Sequence, residues 1–377
     1  MIGMAQETGS PRIALAHDWL VGRRGGEMVL DRLARAYGPA DLYVLVNDGR
    51  PISEAITACR VHTSALQRFP FAAGAWRRAY LPLMPWAVGS LRVAPCDLLI
   101  STSSAVMKAI HAPAGAAHLC YCHSPARYIW EQTDDYAVGR GGLVRGALLR
   151  AVRRRFQRWD LRTVPRVTRF LANSAHTAAR IARCFGREAA VVHPPVRTTY
   201  FTPEPGASRE DFLLVVSALE PYKRVDLAIA AAAQARRRLI VVGSGSQHAI
   251  LARQARECGW AQMRGRVSDE ELRDLYRTAS ALIFPQQEDF GIIAAEALAC
   301  GCPVVAYAAG GAREIVNEES GVLFPEQSCA AIVAAIDEVG RRSIRAQDCR
   351  ARAESFSEDR FDAAIAAHVR SLIGGGA

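Results

Sequence analysis

Short apolar runs alternate with longer stretches of helical periodicity along most of the chain. "RIALAHDWL" (12–20) begins apolar and ends polar, which predicts a first strand running into a functional loop. "VGRRGGEMVLDRLARAYG" follows, with apolar Met28, Val29, Leu30 and Leu33, and predicts a glycine-rich turn feeding a helix. "ADLYVLV" (40–46) predicts a strand, "CDLLISTSSAVMKAI" (96–110) a strand, loop and helix, and "AAHLCYCHSP" (116–125) a strand ending at His123. "TRFLANSAHTAARIARCFG" (168–186) adds a strand and helix, and "AAVVHPPV" a further strand. After "RTTYFTPEPGASRE" the alternation restarts with "DFLLVVSALEPYKRVDLAIAAAAQA", "RLIVVGSGSQHAILARQARECG", "MRGRVSDEELRDLYRTA", "SALIFPQQEDFGIIAAEALACG" and "CPVVAYAAGGAREIVNEESGVLF". Ser268 followed by Glu271 reads as a capping box. "SFSEDRFDAAIAAHVRSLIG" predicts a terminal amphipathic helix.

Such alternation predicts parallel sheets covered on both faces. Two successive series meet near 198–210, where Pro203, Pro205 and Gly206 cluster. The expected fold class is therefore α/β, with two doubly wound domains. Ligands of such sheets bind outside the carboxyl ends of the strands. His17, Gly25, Gly26, His123, Lys223, Gly243–Gly245 and Glu288 all fall at expected strand ends, which points to one cleft between two domains.

Composition sharpens this picture in three ways. The chain has 377 residues, half of them hydrophobic, and a net charge of +10. Residues 1–200 hold 27 Lys and Arg against 13 Asp and Glu, so the basic character belongs to the first half. That half suits nucleic acid, anionic lipid or phosphorylated substrates, or is simply a solvated basic surface. The ten cysteines include no C-x-x-C, and Cys120/Cys122 and Cys300/Cys302 lie in apolar runs. They read as reduced core thiols of a cytoplasmic protein. The start, "MIGMAQETGSPR", lacks a signal peptide's apolar region. No run approaches the roughly 20 apolar residues of a membrane span.

Several residues carry candidate chemistry, each beside an ordinary structural reading. Gly25-Gly26 opens a helix where backbone amides approach a phosphate, or forms a mere turn. "VGSGS" (242–246) also falls short of the dinucleotide fingerprint. Lys223 on a strand-to-helix loop suits a diphosphate, or is a solvated lysine. His123 precedes Ser124-Pro125, which turns its imidazole toward the loop face. There it suits a sugar hydroxyl or proton transfer, and the alternative is a core histidine. Glu288 and Glu296 flank a helix start, where the dipole alone stabilises acids. Carboxylates also accept from vicinal hydroxyls, and the amides of Phe290, Gly291 and Ile292 suit phosphate. Together they make a site for a nucleotide sugar. No D-x-D occurs, so a metal-bridged diphosphate of that kind has no support.

The segments "HDWL", "GGEMVLDRL", "CYCHSPARYIW", "FLANSAHTAARI", "PYKRVDLAI", "GRVSDEELRDLY" and "FPQQEDFGIIAAEALACGCPVVAYAAGGAREIV" resemble a family 4 retaining glycosyltransferase of the GT-B fold. The match spans roughly residues 12–325. It is most similar to the bacterial O-antigen and exopolysaccharide mannosyltransferase branch. The resemblance implies two Rossmann-like domains facing across a cleft: 1–200 on the acceptor side and 201–356 on the nucleotide-sugar side. The helix 357–377 is implied to pack back on the first. It further implies that Lys223 neutralises the diphosphate, Glu288 holds hydroxyls of the transferred sugar and Glu296 the ribose. Phe290, Gly291 and Ile292 offer amides, Gly243 and Arg266-Val267 hold the base, Gly25 and Gly26 border the diphosphate, and His123 contacts the donor sugar. The family often carries an arginine where this chain has Ala218, and Arg224 is the candidate substitute.

The expected activity is hexosyl transfer with retention, with no cofactor and no metal, and GDP-mannose as the favoured donor. UDP-sugar transfer, a sugar-nucleotide epimerase or phosphorylase, and a non-catalytic membrane-docked subunit are the alternatives. "RFPFAAGAWRRAYLPLMPWAVGSLRV" (68–93) and "RGGLVRGALLRAVRRRFQRWDLRTVPRVTR" (140–169, ten arginines) interleave basic and apolar residues. They suit an anionic membrane surface and a saccharide or polyprenyl-diphosphate-linked acceptor. A solvated face is the competing reading, and no module for nucleic acid is present. The expected location is the inner face of the plasma membrane, as a peripheral cytoplasmic protein.

Overall fold

The structure is a computed structural model that describes residues 11–22, 25–74, 80–130, 143–206 and 208–374, with backbone alone for 143–151. Parts of both basic stretches, 75–79 and 140–142, lie outside these residues, as do 375–377 of the expected terminal helix. The chain divides into two compact units. One holds 1–173, 177–192 and 362–377, and the other 174–176 and 193–361.

The first unit is built on a seven-stranded parallel sheet. Its strands are β1 (Ile13–Leu20), β2 (Asp41–Asn47), β3 (Arg60–Thr63), β4 (Leu98–Ser103), β5 (Ala117–Cys122), β6 (Arg169–Ala172) and β7 (Ala189–Val191). Their order is β3-β2-β1-β4-β5-β6-β7. The second unit carries six strands: β8 (Phe212–Val216), β9 (Arg238–Val242), β10 (Ala261–Gly265), β11 (Ala281–Phe284), β12 (Val304–Tyr307) and β13 (Gly321–Phe324). They run β10-β9-β8-β11-β12-β13, again all parallel. β4, β8 and β11 are buried at every residue, as central strands covered on both faces must be. In each sheet the order reverses once, between β1 and β4 and between β8 and β11, which defines the switch point where loops part.

Three local expectations change. β1 continues through His17 and Asp18 to Leu20 instead of yielding to a loop. These polar residues are tolerated in the strand because they are satisfied. His17 Nδ1 lies 2.6 Å from Thr102 Oγ1. The Asp18 carboxylate, almost fully buried, accepts the amides of Ser104, Ala105, Val106 and Met107 at 2.5, 2.9, 3.0 and 2.9 Å. That gathering of amides explains the second change: a single 3-10 turn, Met107–Ala109, stands where a helix was expected after β4. The third is β3, four residues with no buried position and hence no apolar run to announce it.

The C-terminal helix, Glu358–Ile373, contributes its residues from Asp362 onward to the first unit. There Arg32 pairs with Asp362, and Arg169 Nη1 lies 3.3 Å from His368 Nδ1. All ten cysteines are free. Burial pushes the Cys120 and Cys300 thiols up to about 12, so they behave as packing groups rather than nucleophiles.

The helix Leu143–Thr163 is tied to the first sheet by a buried charge pair. Lys108 Nζ lies 2.8 Å from Asp160 Oδ1 and donates to Asp160 O and Thr163 Oγ1 at 2.8 and 2.9 Å. Trp130 Nε1 donates to the other carboxylate oxygen at 2.9 Å. Removing one member of such a pair strands a buried charge. Lys108→Met is expected to lower unfolding free energy by about 3–5 kcal/mol. Urea denaturation checks this, and a loss under about 1 kcal/mol would mean that the pair carries no anchoring role.

Candidate functional site

In the second unit, Lys223 and Glu288 arrive on the loops after β8 and β11, the two strands that flank the switch point. Lys223 ends a 3-10 turn, Pro221–Lys223, and Arg224 turns the chain through a left-handed conformation (φ 51°) into the helix Val225–Ala235. Lys223 is about nine-tenths buried, and its Nζ pairs with Glu288 Oε1. Two charges of opposite sign thus meet where the topology leaves room for a ligand.

Glu288 leads into Gly291, which opens the helix Ile292–Ala299. Gly291 has φ +104°, and a Cβ there would come within 3.0 Å of the Phe284 ring. Only glycine brings the backbone over that ring without strain. In the first turn of the helix the Ala294 amide donates to Gly291 O at 2.9 Å, and the helix start is the kind of place that favours an anion. Glu296 follows on the same helix, 5% exposed. The Phe290 side chain packs inward among Phe356 and His193, so the loop presents its backbone rather than its ring.

Two more segments press on this loop. A Cβ on Gly310 or Gly311 would sit 2.0 Å from Glu288 O or 2.3 Å from Phe290 O, and the Gly311 amide donates to Glu288 O at 3.0 Å. Gly243 plays the equivalent part after β9. Its hypothetical Cβ would lie 1.8 Å from Ser217 O, and its amide donates to Gly265 O at 2.7 Å. Arg266 Nε donates to Ser244 Oγ at 2.8 Å, while Val267 packs against the core. Arg224 lies 3.4 Å from Asp226. Ala218 adds no charge to the loop after β8.

In the first unit, Gly25 and Gly26 begin the helix Gly25–Tyr37 after β1. A Cβ on Gly26 would be 3.4 Å from His17 Cε1 and 3.5 Å from His123 Nε2, so two imidazoles converge on one bare stretch of backbone. Buried Glu27 places Oε1 3.8 Å from His17 Nε2. His123 follows β5, with its amide on Ser103 O at 2.8 Å and its carbonyl accepting Asn173 Nδ2 at 3.0 Å. Arg180, fully buried, donates to Ser124 Oγ at 2.7 Å and fixes the next residue of the loop.

Of the residues marked from the sequence, Gly25, Gly26 and His123 follow strands of the first sheet, His17 lies within β1, and the others belong to the second unit. Glu27, Arg180, His193 and Glu314 were not marked. Glu314 accepts the amides of Ala175 and His176 at 2.8 and 3.2 Å and faces His193 Nε2 at 3.1 Å. Burial alone would raise its carboxyl, but these bonds hold it below the ordinary value. A polar residue in a buried run, such as "HDW" in β1, was the available signal for the first unit; nothing local announced Glu314.

Comparison with known proteins fits this geometry. Residues 196–356 match the family described as glycosyl transferases group 1. A D-inositol 3-phosphate glycosyltransferase of Kineococcus radiotolerans is 31% identical over 241 residues, covering 52% of this chain and 55% of that protein. A GDP-mannose-dependent alpha-(1-6)-phosphatidylinositol monomannoside mannosyltransferase of Mycolicibacterium smegmatis is 33% identical over 196 residues, covering 44% and 51%. The chain thus spans about half the length of the curated relatives it matches. The solved sucrose-phosphate synthase of Thermosynechococcus elongatus superposes with a TM-score of 0.75 at 16% identity, covering 97% of this chain and all of that one, which shows the GT-B fold. Residues 196–356, which make up most of the second unit, are thus similar to the glycosyl transferases group 1 family.

Proposed function

We propose that the chain is a retaining glycosyltransferase that moves a hexose from a nucleotide-diphosphate sugar to a saccharide or polyprenyl-diphosphate-linked acceptor. The observation that carries this reading is the Lys223–Glu288 pair at the second sheet's switch point, beside the helix opened by Gly291. A diphosphate takes the lysine and the first-turn amides, and frees Glu288 to accept hydroxyls of the sugar. Glu296 accepts from the ribose, and the loops at Gly243 and Arg266-Val267 flank the base. Arg224 is the nearest further cation in sequence, although Asp226 engages it. Gly25 and Gly26 border the diphosphate, and His123 meets the sugar.

In this mechanism the acceptor oxygen forms the new glycosidic bond on the face from which the diphosphate leaves. The bond from the anomeric carbon to the phosphate oxygen breaks, and that oxygen takes the hydroxyl proton. Lys223 and the fixed amides stabilise the charge that develops on the leaving group. No metal is needed for this neutralisation, and the activity is expected to persist in EDTA. The Mycolicibacterium relative's name supports GDP-mannose as donor.

The acceptor side falls to the first unit. Phe71 is 70% exposed, Trp86 52%, and Phe69 and Leu83 stand out beside them. Phe69 and Phe71 line a cavity of about 650 Å³ together with Asn47, Asp48, Arg50 and Gln67. On the helix Leu143–Thr163, Arg154, Arg155, Arg158 and Arg162 are exposed while Phe156, Asp160 and Thr163 are buried. Among the described residues no helix is long and apolar enough to cross a membrane. Exposed aromatics and a one-sided row of arginines support docking on an anionic bilayer. There, at the inner face of the plasma membrane, the enzyme serves bacterial surface-polysaccharide synthesis.

Incubation with GDP-, UDP-, ADP- and dTDP-sugars is expected to yield transfer with retention, undiminished by EDTA. Glu288→Ala and His123→Ala are each expected to cut transfer by about 10²–10³-fold while both variants remain folded by circular dichroism. Wild-type turnover in both variants, or an epimerised donor, would overturn these roles. In flotation with anionic liposomes the protein is expected to rise with the vesicles at low salt and to be released by salt. Absence of binding at low salt would remove the membrane from the account.

A further inference from the structure

The geometry points to His193 and Glu314 as positioning residues that hold the Glu288–Gly291 loop in its working conformation. The importance of that loop rests on the transferase reading; the contacts do not. They close into a circuit within the second unit. The Glu288 carbonyl accepts the Gly311 amide at 3.0 Å, and the Gly311 carbonyl accepts the Glu314 amide at 2.9 Å. The Glu314 carboxylate meets His193 Nε2 at 3.1 Å. The His193 ring lies tilted on Phe290, with centroids 5.5 Å apart, which returns the circuit to the loop.

Neighbouring groups stiffen each corner. Phe356 stands edge-on to both His193 and Phe290, at 5.1 and 5.4 Å. Arg352 lies over the Phe356 ring at 5.1 Å and donates to Ile315 O at 2.9 Å. Ser174 Oγ donates to Asp289 O at 2.5 Å, and the amides of the next two residues are the ones that Glu314 collects. The loop is therefore gripped at three successive residues: the Glu288 and Asp289 carbonyls and the Phe290 ring.

This arrangement has a physical motive. Gly291 lets the chain turn where L residues do not go, and the same freedom would let the loop wander. Glu288 must meet sugar hydroxyls within hydrogen-bond distance, and a displacement of about 1 Å at a reacting centre can cost 10²-fold in rate. Phe290 cannot fix the loop alone, because an apolar ring slides on its neighbours. The imidazole combines a face for Phe290 with a directed bond to Glu314, so it registers the ring as well as burying it. The rigid partner of that bond is Glu314, already held by two backbone amides.

Three measurements on the full chain test the assignment. In His193→Ala, the rate constant for transfer is expected to fall by about 10- to 100-fold. The affinity for GDP, used as the probe and held also by Lys223 and the loops that flank the base, is expected to fall by less than the rate constant does. Amide hydrogen exchange at Phe290, Gly291 and Ile292 is expected to accelerate. His193→Phe, which keeps a ring but not the bond to Glu314, is expected to fall between the two and serves if the alanine variant does not fold. A folded variant with wild-type turnover and wild-type exchange at these amides would overturn the proposal. If the wild-type protein transfers no sugar, the functional reading fails by itself, and the exchange comparison decides whether His193 and Glu314 position the loop.

Discussion

The account depends on one electrostatic contact, the pairing of Lys223 with Glu288. Opposite charges about 4 Å apart attract by about 4 kcal/mol at the effective dielectric of a protein site. Part of that gain offsets the loss of hydration around a lysine that is nearly buried. The pair is therefore a balanced arrangement, and a balanced pair is exchangeable. A diphosphate offers Lys223 more negative charge than one carboxylate does. Its arrival leaves Glu288 free to accept from hydroxyls. In the proposed transferase the same two side chains would supply attraction for the leaving group and acceptors for the sugar.

That contact exists because of the strand order. β8 and β11 are neighbours, yet the connections from them run to opposite sides, so their loops separate at the carboxyl end. Glycines then set the depth of the site. Gly243 allows the loop after β9 to lie on Ser217, and Gly310 and Gly311 allow the loop after β12 to lie on Glu288 and Phe290. A methyl group at any of these positions would overlap backbone atoms, and backbone cannot rotate away as a side chain can. Gly26 in the first unit differs: a Cβ there would make only ordinary contact with the His17 and His123 side chains, at 3.4 and 3.5 Å.

The alternation of apolar runs and amphipathic helices made the two parallel sheets legible, because a strand buried on both faces must be continuously apolar. β4, β8 and β11 are such strands. β3 escaped for the opposite reason: it is an edge strand with no buried residue. The helix expected after β4 fails because Asp18, distant in sequence, collects its would-be first-turn amides. Residue chemistry at strand ends marked Lys223, Glu288 and His123 as polar groups where ligands bind. The His193–Glu314 pair was not legible, since its members are 121 residues apart and neither breaks a local pattern. Long-range polar partnerships have no periodicity, and only folding brings them together.

The central claim is that the switch-point lysine binds the diphosphate of a nucleotide. The most direct measurement is an equilibrium titration of GDP and UDP into the wild-type protein and into Lys223→Ala. A charge-assisted contact is worth about 1.5–3 kcal/mol, so the account predicts affinity for at least one of the two nucleotides and a loss of about 10- to 100-fold in the variant. Equal affinity in the two proteins, or no binding of either nucleotide to the wild type, would contradict it.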